Sequence, residues 1–171
     1  MKKTIYLNLI LVMFITISDA HSQTCLSETE IPSTTPDSHF TDNNNGTVTD
    51  KSTGLMWQKC QLGLSGTDCT TGTATDHTWE EALDEAENNT TANFNDWRLP
   101  NHKELLSLVE ERCYNPSINT NYFPNTTSSL FWSSSPSFSS DDRSWLVFFT
   151  DGTSLNLLRI VTDNVRLVRT E

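Results

Sequence analysis

The chain has 171 residues, with 22 Asp and Glu side chains against 11 Lys and Arg, and its formal net charge at pH 7 is −11. This length predicts a single domain, and so acidic a surface argues against nucleic-acid binding because it repels phosphate backbones. The hydrophobic share of 35%, with five Trp and eight Phe, is enough for a packed core of modest size.

Residues 1–20 have the pattern of a secretory signal peptide. Two lysines precede an apolar run, and small residues close it, with cleavage expected after Ala20 or alternatively after Ser22. The run is short for a membrane span, which disfavours an uncleaved anchor. Cleavage after Ala20 removes two lysines and one aspartate, leaving 21 acidic and 9 basic side chains and a formal charge near −12. We therefore expect an exported protein, secreted or periplasmic.

The four cysteines are expected to form two disulfides, since an even count is typical of exported chains. Three pairings are open. Cys60 and Cys69 flank a polar, glycine-containing segment that can fold back on itself, which favours this pair and leaves Cys25 for Cys113. A zinc site is the competing interpretation, but the cysteines lack the short spacing of zinc motifs, and no histidine is adjacent to them.

Residues 21–38 contain two prolines and show no periodicity, so they are predicted to be an extended N-terminal tether. The domain is expected to occupy residues 39–171.

The domain begins with a pattern of short strands joined by the turns "NNNG" and "DKSTG". The stretch "LMWQK" is then a strand with Leu55 and Trp57 on one face. The asparagine-rich turn resembles a calcium loop in composition, but its oxygens do not have the EF-hand spacing, and a tight turn is favoured.

The stretch "HTWEEALDEAENN" predicts a first helix. Thr78 and Glu81 have the spacing of a capping box. An apolar stripe at helical spacing is expected to face the core, and the acidic residues opposite are expected to face solvent. The stripe consists of Trp79, Ala82, Leu83 and Ala86.

The stretch "NHKELLSLVEERC" predicts a second helix that ends at Cys113. Asn101 and Glu104 again have capping-box spacing. Leu105, Leu108 and Val109 are expected to face the core. Just before this helix, Trp97 and Leu99 alternate with Arg98 in a short extended segment, and Trp97 is predicted to be buried.

The serine-rich stretch that follows is predicted to be ordered, because its recurring aromatic residues need burial, with a short strand at "LFWSSS". The stretches "SWLVFF" and "SLNLLRI" are strands joined by the hairpin turn "TDGT". In "NVRLVR", Val165, Leu167 and Arg169 share one side of a strand, with Arg166 and Val168 on the other. Helices followed by antiparallel strands predict an α+β fold.

Seven stretches in the same order, from about Phe40 to Arg169, resemble the C-terminal domain family of the Legionella collagen-like adhesin, a bacterial family long catalogued as a domain of unknown function. The stretches are "GTVTDKSTGLMWQKC", "TWEEAL", "NDWRLPNHKELLSLVE", "NPSINTNYFPNT", "FWSSS", "FTDG" and "NVRLVR".

The resemblance implies a C-type-lectin-like fold related to formylglycine-generating and sulfatase-modifying domains. In that fold two helices flank a twisted antiparallel sheet, and long loops between the later strands carry binding. The family's adhesin binds sulfated glycosaminoglycans and is held as a trimer by a collagen stalk. This chain has no Gly-X-Y stalk and is strongly acidic, so neither a trimer nor a sulfated ligand is predicted for it.

We therefore expect a binding module that recognises carbohydrate or a cell-surface partner through the loops of residues 114–163. Adjacent carboxylates there could hold calcium, which would bind sugar hydroxyls, and Trp132 or Trp145 could stack on a sugar ring. The candidate ligand-binding residues are Trp132, Asp141, Asp142, Arg143, Asp151 and Asp163.

Two other functions are open. One is an enzyme related to the formylglycine-generating domains, which is disfavoured because all four cysteines are expected in disulfides. The histidines are scattered and form no recognisable nucleophile or metal cluster. They are His21, His39, His77 and His102. The other is a structural or self-associating envelope protein, which the Ser/Thr/Asn-rich loops fit equally well.

Overall fold

The structure is a computed structural model that describes residues 22–171. The expected signal peptide at residues 1–20 lies outside this range. The α-helices of the described chain are α1 (Trp79–Glu87) and α2 (His102–Leu106). Its strands are β1 (Thr24–Cys25), β2 (Phe40–Asp42), β3 (Thr47–Asp50), β4 (Leu55–Gln58), β5 (Leu64–Ser65), β6 (Thr71–Gly72), β7 (Cys113–Tyr114), β8 (Leu130–Pro136), β9 (Arg143–Phe148), β10 (Thr153–Leu158) and β11 (Val168–Thr170).

The strands form small antiparallel sheets, which confirms the predicted α+β class. One sheet has four strands in the order β11-β4-β3-β2, and another has three in the order β10-β9-β8. The pairs β1-β7 and β5-β6 form two short ribbons. The strands are therefore divided among several sheets instead of forming one twisted sheet.

Strand β4 lies at the centre of the core, and all four of its residues are buried. Leu55 and Trp57 pack in one hydrophobic cluster, as predicted from their shared face. Met56 points to the opposite face and packs in a second cluster. Because successive side chains of a strand alternate between faces, this sheet is covered on both sides.

Helix α1 begins with the predicted capping box between Thr78 and Glu81. Ala82 and Ala86 are buried. Trp79 packs against the second cluster and donates its indole N–H to the carbonyl oxygen of Ser133 at 2.9 Å. The prediction for Leu83 was wrong, because only one side of this short helix is covered and Leu83 is 36% exposed.

Helix α2 begins with the predicted box between Asn101 and Glu104 but ends at Leu106, earlier than expected. Ser107 ends it, and its hydroxyl donates to the carbonyl oxygen of Glu104 at 2.7 Å. Cys113 therefore lies in β7 and not in the helix. Cys113 forms the disulfide to Cys25 and pairs with β1 as part of β7, and these interactions require an extended backbone at Cys113 instead of a helical one.

The serine-rich stretch is ordered, as predicted, around buried aromatic side chains. Phe123, Phe131 and Trp132 are fully buried, and β8 covers the predicted strand. Val165 and Leu167 face the second cluster, whereas Val168 faces the first, which confirms the alternation predicted for "NVRLVR".

The N-terminal segment contacts the domain at several points. Strand β1 pairs with β7, and the side-chain amide of Gln23 donates to the carbonyl oxygens of Pro116 and Ile118. Across residues 22–171, no helix has the length and apolar character needed to cross a bilayer.

Candidate functional site: an amide-lined cleft

A cleft of about 660 Å³ opens where four segments of the chain meet. These are the β2–β3 turn, the end of β4, the loop after β4 and the segment after α1. None of its lining residues belongs to the loops of residues 114–163. Apart from one Lys–Asp pair, two leucines and one cysteine, the lining is uncharged and polar or consists of glycine. The lining residues are Asp42, Asn44, Asn45, Gly46, Gln58, Lys59, Cys60, Gln61, Leu62, Gly63, Leu64, Ser65, Gly66, Thr67, Asn89 and Thr91.

The two charges of the cleft neutralise each other. The ammonium group of Lys59 lies 2.8 Å from a carboxylate oxygen of Asp42. Burial acts to raise the pKa of Asp42, but the hydrogen bonds from Lys59 and from the N–H of Asn44 outweigh it and bring the pKa below its usual value. Lys59 is buried, so loss of Asp42 would leave an unpaired buried cation, which is strongly destabilising.

A network of amides fixes one wall of the cleft. The side-chain amide of Gln58 donates to the Oδ1 of Asn89 at 2.7 Å and to the hydroxyl oxygen of Thr91 at 3.0 Å. The same Oδ1 accepts the backbone N–H of Thr91 at 3.0 Å. These bonds hold the amides in defined rotamers, so the wall is preorganised for a ligand that exchanges hydrogen bonds with it.

The disulfide between Cys60 and Cys69 closes the loop that forms the opposite wall. Within this loop Gly63 has a φ of +84°, and a β-carbon there would overlap the carbonyl oxygen of Thr73. Only glycine fits so close a backbone approach. The disulfide and the glycine together restrict the conformations open to this wall.

The fully buried guanidinium of Arg166 lies beneath the end of β4. It donates to the carbonyl oxygens of Gln58, at 2.9 Å, and Lys59, and to the hydroxyl of Thr126 at 2.7 Å. It also lies over the ring of Phe123, 5.0 Å from its centroid. All of these partners are uncharged, and burial lowers the pKa of Arg166 to about 9. The guanidinium is thus a fixed support for the backbone of the cleft.

The structure corrects the prediction for Trp132, which was expected to meet a ligand. Trp132 is fully buried, and its indole N–H donates to the carbonyl oxygen of His77 at 2.9 Å. Its ring therefore has no free face for a sugar. Trp145 is half-buried, and His102 stacks on it with ring centroids 5.1 Å apart.

The other candidates lie outside the cleft. Asp141 and Asp142 are exposed in the β8–β9 loop, and Arg143 donates to the carbonyl oxygen of Asn156 at 3.2 Å. Asp151 accepts the N–H of Thr153 at 3.0 Å, as a turn residue does.

The backbone of Asp163 pairs with that of His77 in an isolated antiparallel β-bridge. Burial and the neighbouring charge of Asp76 raise the pKa of Asp163 to about 6. Within residues 22–171, no three His, Cys, Asp or Glu side chains come close enough to hold a metal ion together.

The sequence profile of the Lcl C-terminal domain family matches residues 46–169, which is more than half of the chain. The chain belongs to the Lcl C-terminal domain family. This confirms the resemblance inferred from the seven stretches, and membership of this family suggests an adhesin-like module. No match is found among curated proteins.

The part that matches the Lcl C-terminal domain family includes most of the cleft. Gln58, Asn89 and Arg166 lie inside it, whereas Asp42 and the asparagines of the β2–β3 turn precede it. The stretches "NNNG" and "LMWQK" indicate only a turn and a strand, so the sequence alone does not predict the cleft. The side chain of Gln58 meets Asn89 through a tertiary contact that local patterns do not encode.

Proposed function

We propose that this chain is an exported, non-catalytic adhesin-like module that binds a carbohydrate without sulfate groups in the amide-lined cleft. The observation that carries the proposal is the composition of the cleft, in which preorganised amides and hydroxyls surround an internally neutralised ion pair. Amide and hydroxyl groups can both donate and accept hydrogen bonds, as sugar hydroxyls do. A C-type-lectin-like arrangement of the helices and sheets is part of the proposal.

Charge supports a ligand without sulfate. The chain carries a formal net charge of −11, and the lysine in the cleft is paired with Asp42. A sulfated polymer would be repelled at long range by this acidic surface. The lysine of the cleft would not offset that repulsion, because it is already paired with Asp42.

The disulfides support export and argue against catalysis by cysteine thiols. Cys25–Cys113 and Cys60–Cys69 are bonded, the pairing favoured from the sequence, and the described residues contain no free cysteine. Disulfides persist in oxidising compartments such as the bacterial periplasm or the medium. The cysteine chemistry of formylglycine-generating domains requires free thiols, and both bonds tie up the thiols that such chemistry would use.

A glycan array with the purified protein, followed by calorimetry on the best ligand, tests the proposal. Two cleft variants separate binding from folding. Ser65→Trp fills the cleft from an exposed position and should abolish binding. Asn44→Gly removes an amide, and glycine tolerates the φ of +56° found at this position. This variant should weaken binding by roughly tenfold. Ser128→Trp adds the same bulk at an exposed position outside the cleft and should bind normally.

The same titrations decide between the cleft and the later loops. The double variant Asp141→Asn/Asp142→Asn should bind like wild type, with and without calcium. Loss of binding in this variant, with normal binding by Ser65→Trp, would move the ligand face to the loops of residues 114–163. If wild type binds sulfated glycans alone, or no glycan at all, the proposal is wrong.

A further inference from the structure

The side-chain amides of Gln58 and Asn89 have fixed orientations in the wall of the cleft. The backbone N–H of Thr91 can only donate, so the atom of Asn89 that faces it at 3.0 Å is the acceptor Oδ1. Gln58 must then present its donor Nε2 to the same Oδ1, at 2.7 Å. The second N–H of Gln58 is donated to the hydroxyl oxygen of Thr91 at 3.0 Å. One backbone group thus determines the direction of both amides.

Each of these amides keeps one polar atom for a ligand. Both N–H groups of Gln58 are used, and within residues 22–171 no donor reaches its Oε1. The Nδ2 of Asn89 likewise has no acceptor among the described residues. Gln58 is only 4% exposed, yet its Oε1 is not one of the fully enclosed polar atoms that lack a partner, so it reaches solvent at the cleft that the residue lines. The same wall therefore offers one acceptor and one donor.

Aliphatic side chains supply the apolar part of the cleft. Leu62 and Leu64 are half-buried, line the cleft and flank Gly63 in the sequence. The close approach of Gly63 to Thr73 restricts the backbone between them. Within the described chain no aromatic side chain lines the cleft, so no ring is available to cover the face of a sugar. Two leucines beside hydrogen-bonding amides match a ligand group that is itself part polar and part apolar.

We propose that the carbohydrate of the cleft carries an N-acetylamino group, an inference that rests on the function proposed above. An acetamido group has an N–H for the Oε1 of Gln58, a carbonyl oxygen for the Nδ2 of Asn89 and a methyl group for the two leucines. A hydroxyl also donates and accepts, but it has no apolar part and leaves the leucines facing water. A sulfate or carboxylate group has no donor for Oε1 and would meet its lone pairs instead.

Calorimetry with matched neutral sugars tests this inference on the purified protein. Chitotriose carries acetamido groups where cellotriose carries hydroxyls, and N-acetylgalactosamine and galactose form a second pair. The acetylated member of at least one pair should bind roughly tenfold tighter than its partner. Equal binding within both pairs overturns the inference but leaves the proposed function standing, and so does a neutral glycan without acetamido groups that binds more tightly than both acetylated sugars. If no neutral glycan binds, the proposed function fails as well.

The variant Asn89→Asp tests the role of the amide pair. It keeps the Oδ1 that accepts from Thr91 and Gln58 but replaces the free donor with an anionic acceptor. Binding of the acetylated sugar should weaken by roughly tenfold or more. Asn88→Asp adds the same charge at an exposed position outside the cleft lining and should bind like wild type. Equal binding by Asn89→Asp and wild type would overturn the inference.

The variant Leu64→Ala tests the methyl contact independently of the amides. It removes apolar surface from the cleft and should reduce the preference for the acetylated sugar to about threefold or less, with the affinity for the unacetylated sugar unchanged. Leu83→Ala makes the same change in α1, outside the cleft, and should keep the full preference. Because this readout is a ratio of two affinities, a general loss of folded protein would not change it. A full preference in Leu64→Ala would overturn the inference.

Discussion

The backbone N–H of Thr35 donates to the carboxylate of Glu110 at 3.0 Å, across 75 residues of sequence. The same carboxylate accepts the N–H of Thr34 at 3.1 Å and the hydroxyls of Ser33 and Thr35. Glu110 is 3% exposed. One buried carboxylate thus fixes the N-terminal segment to the domain, together with the disulfide that joins Cys25 to Cys113.

Replacing Glu110 with Gln should lower the free energy of unfolding by about 2 kcal/mol at pH 7, because an amide NH₂ would face the donors. Burial acts to raise the pKa of Glu110, but the hydrogen bonds from Ser33, Thr35 and Thr34 bring it below its usual value. A lowered pKa in the folded state stabilises the protein above the unfolded pKa, and this contribution is lost as the pH falls. The difference between wild type and Glu110→Gln should therefore shrink in acid.

Urea unfolding at pH 7 and below pH 4 measures this difference, and the exposed neighbour provides a control, since Glu111→Gln should change little. An equal effect of the two substitutions would show that Glu110 does not fix the segment.

Asp163→Asn should stabilise the protein at pH 7.5. The pKa of Asp163 is raised to about 6 by burial and then by Asp76. A raised pKa means that the folded state favours the protonated form, so the carboxyl lowers stability progressively as the pH rises from about 4 to about 6. The gain from Asn should be about 1 kcal/mol above pH 6, after allowance for solvent screening of a half-exposed group, and should vanish below pH 4.

Thermal unfolding across this pH range tests the prediction for Asp163. The matched control is Asp141→Asn, which removes a carboxylate from an exposed position in the β8–β9 loop. A gain that is the same at pH 4 and pH 7.5 would contradict the charge explanation.

The two disulfides should contribute unequally to stability. Cys25 and Cys113 are 88 residues apart, whereas Cys60 and Cys69 are 9 apart. A longer closed loop restricts the unfolded chain more, so the paired Cys→Ser variants should lose about 4.5 and about 2.5 kcal/mol respectively. Urea denaturation of each double variant measures the losses, and the reverse order would show that strain or residual structure dominates.

Arg166→Met should cost about 3 kcal/mol, because it leaves the carbonyl oxygens of Gln58 and Lys59 and the hydroxyl of Thr126 buried without their donor. Arg143→Met, which removes one bond to Asn156 at a half-buried site, should cost less than 1 kcal/mol. Urea denaturation compares the two, and equal costs would mean that Arg166 is dispensable as a support for β4.

Local signals in the sequence determined much of the fold. Capping boxes at Thr78 and Asn101, the turn residues and the alternation of Val165, Leu167 and Val168 all predicted what the structure contains. These signals work because caps, turns and strand faces depend on residues within a few positions of each other. The seven ordered stretches also identified the family.

Tertiary structure alone decided the length of α2, the burial of Trp132 and the position of the cleft. The cleft joins residues from Asp42 to Thr91, and its backbone rests on Arg166, more than 100 positions from Gln58. An arginine in an alternating strand has the same local pattern whether it faces solvent or the core. Only packing of distant segments settles its environment, because burial and hydrogen-bond partners depend on which chains meet in space.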